Sequence, residues 1–277
     1  MSTAPTPSNP LPVRTPNAKG RGRHRRPEVP EIPAGSPALL LAVPVEATPA
    51  AQQIADEIVS LIRVEQPGVD VQAAYLPGGA EDSPVVTDVL AAARKAGLPL
   101  PVVVPLSPAP VPALEAALAG VEGVTVTDSL GPHPLLAEAV HVRLSEAGLA
   151  RADRARLFAI NTAADGIVLA TVGGPVALEL AEVTGVLLAA RLAVPVVPAA
   201  LDIPGSVAAA VEHLRATGSG APALAPYVLG PELAEDHLKA VAEEFDVQVA
   251  EPIGAYASLS RLALGLYLGH LGVSLDH

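Results

Sequence analysis

Val124–Leu144, VTVTDSLGPHPLLAEAVHVRL, is the stretch that decides how this chain is read. It spells a short strand at Val124 and Val126, a turn at Leu130-Gly131-Pro132-His133-Pro134, and then a helix. Val247–Leu268, VQVAEPIGAYASLSRLALGLYL, echoes it. Val124, Val126, Gly131 and Leu136 fall on Val247, Val249, Gly254 and Leu259, while Asp128 and Leu130 fall on Glu251 and Ile253. Tyr256 stands where His133 stands. The offset of 123 residues is close to half the chain without its tail. A period that long is no solenoid unit and points to two similar α/β lobes.

Working outward, the same order of elements is legible twice. Ala38–Val43 is a continuous apolar run ended by Pro44, a buried first strand. Thr48-Pro49 then gives an N-cap and N1 signal for a helix carrying Ile54, Ile58, Leu61 and Ile62. Val69, Val71 and Ala73 alternate as strand two, Ser83-Pro84 caps the next helix, and Val102–Val104 is strand three, ending at Pro105. In the second half Ile167–Ala170, Val194–Val197 and Leu224–Leu229 take the strand positions. Helices with Leu178, Val183, Val186 and Leu187, and with Val211 and Leu214, fall between them. Strands alternating with helices predict an α/β fold of two lobes, each a small parallel sheet flanked by helices, with a cleft between them. In such sheets ligands bind beyond the C-terminal strand ends. The expected division is a tail over 1–36, one lobe over 37–150 and a second over 151–277.

Composition narrows the function. Half the residues are apolar but only 2% are aromatic, so the core is built from Ala, Val and Leu. Aromatic platforms for single-stranded nucleic acid are scarce. With no cysteine, disulfides, thiolate metal sites and Cys nucleophiles are excluded. Net charge is −12, yet Arg14, Lys19, Arg21, Arg23, Arg25 and Arg26 crowd the first 35 residues. Setting that segment aside leaves 11 basic and 27 acidic residues, a body of net charge −16 that repels phosphate backbones. Nucleic acid is therefore no partner for the folded body. The tail, rich in Pro, Ser, Thr and Arg, reads as disordered, and its sequence leaves its own partner open. Its Arg25-Arg26 pair is followed by PEVPEIP, whose acids and prolines spoil an export h-region, which makes the cytoplasm the expected compartment. No apolar run reaches the ~18 residues of a membrane span.

The order of elements, their spacing and their turns resemble the class II tetrapyrrole chelatases, and among them the sirohydrochlorin chelatases of the CbiX type. The resemblance covers about Pro37 to Gly272. Ser129–Ala139, SLGPHPLLAEA, is its most specific part, supported by Leu39–Leu41, Val102–Leu106 and Ala225–Gly230. It implies insertion of Fe²⁺ or Co²⁺, as substrate, into a tetrapyrrole held between the lobes, with no organic cofactor. That chemistry uses neutral imidazoles to ligate metal and accept pyrrole protons. The family places one histidine just after strand one and a second after strand three. Here Pro44 stands at the first position, and the segment after strand three reads Leu106-Ser107-Pro108-Ala109-Pro110-Val111-Pro112, with no histidine. Proline offers no side-chain ligand, so neither expected metal ligand is present.

The remaining candidates each have a plainer reading. Glu46, beside the first-histidine turn, is a candidate oxygen ligand or a solvated acid. His133 is a candidate ligand or the cap of the helix that follows it. Gly173 and Gly174, after a strand and before a helix, offer amides to an anion such as a propionate, or form a tight βα turn. Glu138 and His141 share a helix face, and Asp236-His237 sit side by side on another helix, but two groups do not make a metal site. His270 and His277 lie near the end of the chain. The sequence thus leaves two readings: a chelatase with displaced ligands, or a non-catalytic tetrapyrrole- or partner-binding protein on a chelatase scaffold, a pseudoenzyme.

Overall fold

In the computed structural model the described residues are 31–80, 82–150, 164–234 and 236–273. The expected tail up to residue 30, and the lobe boundary within residues 151–163, lie outside them. The first half runs β1 (Leu39–Glu46), α1 (Pro49–Glu65), β2 (Val71–Leu76), α2 (Val86–Lys95), β3 (Val102–Pro105), α3 (Pro112–Leu118), β4 (Thr125–Val126) and α4 (Pro134–Glu146). The second runs β5 (Gly166–Thr171), α5 (Gly174–Leu192), β6 (Val196–Ala200), α6 (Ser206–Ala216), β7 (Pro222–Pro226), α7 (His237–Phe245), β8 (Gln248–Val249) and α8 (Ala257–His270).

Two four-stranded parallel sheets result, ordered β2-β1-β3-β4 and β6-β5-β7-β8. The matched stretches occupy matched places. Val126 ends β4 opposite Val103, and Val249 ends β8 opposite Leu224. Leu136 and Leu259 are both fully buried, and His133 and Tyr256 both stand at the N-cap of the helices that follow, though only His133 accepts a hydrogen bond there. The inner faces of both sheets close on one apolar cluster fed by α1, α4, α5 and α8. The outer faces are covered separately, by α2 and α3 on the first sheet and by α6 and α7 on the second.

Two expectations shift, and one helix shows which of its faces turns inward. The first strand does not stop at Pro44 but continues to Glu46, and the β1–β2 register slips between Ala42 and Glu46. Proline cannot donate to a ladder, so the strand accommodates it at that irregularity. Strand three of the second half is Pro222–Pro226, earlier than Leu224–Leu229, because Tyr227 onward turns away into the loop. Val183 and Val186 are 50% and 71% exposed; α5 buries Ala177, Ala181, Thr184, Gly185 and Leu188 instead. A helix with apolar residues on all its faces carries little periodicity to say which face turns inward.

Candidate ligand cleft between the lobes

The residues after β3 and β7 sit where the two sheets turn their strand ends toward each other, and they follow one scheme. Pro105 lies opposite Ala42, and Pro226 opposite Ala170. The next amides donate across the sheet, Leu106 N to Ala42 O at 2.8 Å and Tyr227 N to Ala170 O at 2.6 Å. One residue on, Ser107 O accepts from Leu130 N at 2.9 Å and Val228 O from Ile253 N at 3.0 Å. Tyr227 is thus the counterpart of Leu106. Every residue from Pro101 to Ala109 is buried, as are Tyr227, Val228 and Leu229. Alternating prolines suit such a path, since each removes a backbone donor that burial would strand.

These loops fill space between the lobes. Thr184 Oγ1 donates to the Tyr227 hydroxyl at 2.9 Å. A Cβ on Gly131 would lie 2.5 Å from that hydroxyl and 2.6 Å from Pro108 O, so only glycine fits there. Burial pushes the Tyr227 phenol up to about 12, partly opposed by the Thr184 hydrogen bond. Pro110 O comes within 3.7 Å of where a Cβ on Gly173 would sit, and Ile54 Cδ1 of α1 within 3.6 Å of the same point on Gly230. Each strand-three loop therefore touches the other half. Helix contacts reinforce this: Arg143 Nε and Nη2 donate to Ile253 O at 3.1 and 2.9 Å, and Arg191 Nε to His141 Nδ1 at 2.8 Å.

The candidate residues disperse around this closed region. Pro44 is half-buried in β1, and Glu46 is exposed at its end, with Oε2 2.7 Å from where a Cβ on Gly78 would lie. His133 is half-buried and caps α4: its Nδ1 accepts from Leu135 N at 3.1 Å, which puts the proton of the neutral ring on Nε2. Desolvation lowers its pKa. Gly173 N and Gly174 N both donate to Asp202 Oδ2 at 2.9 Å, so the anion at this turn is the chain's own carboxylate. His141 is buried beside Arg191, while His237 and His270 are exposed, and Asp236 pairs with Lys239 at 3.5 Å. His277 lies outside the described residues. Among the described residues no three His, Asp or Glu side chains converge as a metal site would require.

Sequence reasoning missed Tyr227, Thr184, Asp202 and Glu232. The Glu232 carboxylate accepts from Leu229 N at 3.2 Å and Gly230 N at 2.7 Å, and burial raises its pKa. Thr184 lies 43 residues from Tyr227, and Asp202 28 residues from Gly174, so only the fold brings those partners near, while Glu232 caps amides two and three residues before it.

The strand-end loops also have a consistent charge. Over 47–48, 77–85, 106–111, 127–133, 172–173, 201–205, 227–236 and 250–256 the sequence contains no Lys or Arg, while Asp82, Asp128, Asp202, Glu232, Asp236 and Glu251 fall there. Beside them a cavity of about 640 Å³ opens between α3, the β4 end and Leu180 of α5. Its walls are mainly apolar, with Glu115 and Asp128 among them.

No protein-family model and no curated protein matches the sequence. Solved structures do. SirB from Bacillus subtilis with Fe³⁺ superposes with a TM-score of 0.61 at 16% identity, over 87% of this chain and 100% of that one. The fold is that of a sirohydrochlorin chelatase. The SirB of Bacillus subtilis subspecies spizizenii, in complex with cobalt, gives a TM-score of 0.58 at 14% identity, over 87% and 100% of the two chains. A multi-domain protein from Deinococcus radiodurans with structural similarity to chelatases gives 0.55 at 16%, over 84% of this chain and 55% of that one. The chelatase-like architecture expected from the repeated stretch is thus present, two four-stranded parallel sheets flanked by helices. Among the described residues no helix is long and apolar enough to cross a membrane.

Proposed function

We propose that this chain is a partner-binding protein on a chelatase scaffold and does not insert metal. One observation carries the reading: Leu106–Ala109, the start of the loop in which the family keeps a metal-binding histidine, is buried, with Pro108 O packed on Gly131, itself against Tyr227 of the other half, and Pro110 O beside Gly173. A loop in that role has neither an imidazole to offer nor freedom to admit a metal. The other imidazoles are committed or remote, His133 to its cap and His141 to Arg191.

Charge supports the same conclusion for the tetrapyrrole. The family substrate is rimmed with carboxylates, and a site for it needs basic side chains near the strand ends. The strand-end loops here carry acids and no Lys or Arg; Arg143, which reaches the loop after β8 from α4, is bound to Ile253 O and Glu146 Oε2, and the two amides best placed for a propionate already hold Asp202. Like charge and an occupied turn both weaken polycarboxylate binding. Fe²⁺ or Co²⁺ as substrate then has nothing to enter.

The reading is tested by titrating the full chain with sirohydrochlorin and following the tetrapyrrole absorption, with Co²⁺ titrated separately by calorimetry. Neither ligand should show saturable binding. Saturable one-to-one binding of sirohydrochlorin would overturn the reading.

A further inference from the structure

α1 and α5 hold the same place in the two halves, yet their outer faces differ. α1 exposes Gln53, Asp56, Glu57, Ser60 and Arg63, a solvated face on which Val64, 81% exposed beside the helix end, is the one large apolar side chain. α5 exposes Val176, Val183 and Val186, at 55%, 50% and 71%, with Glu179 and Glu182 alongside. Leu180 lies one turn from both Val176 and Val183 on the helix, and it also forms one wall of the cavity against α3 and β4. Val176, Val183 and Leu180 therefore lead from the exposed face of α5 to the cavity, whose far wall is formed by half-exposed Val126 and the buried Leu114 and Leu118. Exposed valines spaced this way cost solubility, and isolated apolar residues on a surface need no explanation, but a continuous strip leading into a cavity does.

The rim says what fits. Glu179 and Glu182 flank the helix side, and Glu115 and Asp128 the cavity side. A second copy of this chain would set those carboxylates against their own kind, and an anionic lipid surface would meet the same repulsion. We infer that the groove between α5 and α3–β4 docks an amphipathic helix of another protein, apolar on one side and flanked by Lys or Arg. Val176, Leu180 and Val183 follow one another at helical spacing, the form that helix-in-groove recognition uses. The inference rests on the partner-binding reading above and names the surface that reading requires.

The test uses the full chain and a synthetic peptide probe with leucine on one helical face, lysine on the other and a single tryptophan on the leucine face. The protein has no tryptophan, so emission reports the probe alone. The expected result is a saturable blue shift, weakened at least tenfold by Val183→Ser with Val186→Ser and, separately, by Glu179→Lys with Glu182→Lys. All four substituted side chains are exposed, so the variants should keep the far-ultraviolet circular dichroism of the parent. A probe with serine replacing leucine should bind at least tenfold more weakly, which separates docking from general attraction to an acidic protein. Equal binding of that probe, equal binding by the variants, or no binding at all overturns the inference. So does concentration-dependent dimerisation abolished by the valine pair, which would assign the surface to a second copy, or binding to phosphatidylserine vesicles. A chain that inserts cobalt yet binds the probe loses the proposed function and keeps this surface. A chain that does neither loses this surface only.

Discussion

The hydroxyl of Tyr227 occupies the place where a side chain on Gly131 would begin, 2.5 Å from the position of its Cβ. Gly131 belongs to the turn after β4 and Tyr227 to the loop after β7, so this one approach locks the two halves at their strand ends. Gly131→Ala drives a methyl group into both the phenol and Pro108 O, and should cost about 1–3 kcal/mol in urea unfolding. Tyr227→Phe should cost about 1 kcal/mol, by leaving Thr184 Oγ1 without its acceptor. Together the two should cost less than their sum, because the phenylalanine vacates part of the space the methyl needs. Strict additivity would mean the two residues do not meet.

The Tyr227 phenol supplies a spectroscopic signature. Its pKa is pushed up to about 12 by burial, above the ordinary value of 10.0. The folded state then favours the neutral phenol more than the unfolded chain does. This contribution to stability is whole below the unfolded pKa and is lost as pH rises through the folded one. In an alkaline titration, one tyrosinate step should appear only near pH 12 or together with unfolding, and it should vanish in Tyr227→Phe. Its appearance near pH 10 in the folded protein would mean the phenol is open to water.

His133 should behave as a cap. His133→Asn, which keeps a short acceptor, should hold stability within a few tenths of a kcal/mol, while His133→Ala should lose about 1 kcal/mol. Burial lowers the imidazole pKa below 6.5, so the neutral ring is favoured on folding. Its contribution is present above the unfolded pKa and fades as pH falls through the folded value. Unfolding curves between pH 8 and pH 5 check this. A stability that falls faster in His133→Asn than in the parent as pH drops would contradict it.

Asp202 is the anion of the β5–α5 turn. Asp202→Ala strips the acceptor from Gly173 N and Gly174 N and should destabilise the chain by about 0.5–1 kcal/mol, the exposed position tempering the loss. Amide hydrogen exchange at those two glycines should accelerate with it; unchanged exchange would show that the carboxylate holds nothing.

Much of the fold was legible before any coordinates because it rests on local signals. Thr48-Pro49 predicted a cap, and Thr48 Oγ1 accepts from Ala51 N at 3.2 Å. The echo of Val124–Leu144 predicted paired elements, and both sheets have the same strand order. The site was harder to read. The absence of histidine at Pro44 and in Leu106–Pro112 was plain in the sequence, but that the second of these segments is buried was not, since a proline-rich stretch reads the same whether it spans solvent or joins two lobes. α5 was hard to read for the opposite reason: with apolar residues on all its faces, it gave no clear period by which to separate Val183 and Val186 from the core. Asp202 lies 28 residues beyond Gly174, a pairing that only the parallel crossover creates.

The central claim is that the scaffold has lost its chemistry, and the rate of metal insertion tests it most directly. Purified full-length protein is mixed with sirohydrochlorin and Co²⁺, then with Fe²⁺ under anaerobic conditions, and the change in tetrapyrrole absorption is followed against the protein-free reaction. The account predicts the same rate with and without protein, at every protein concentration. A rate that rises in proportion to protein and saturates with sirohydrochlorin would contradict it.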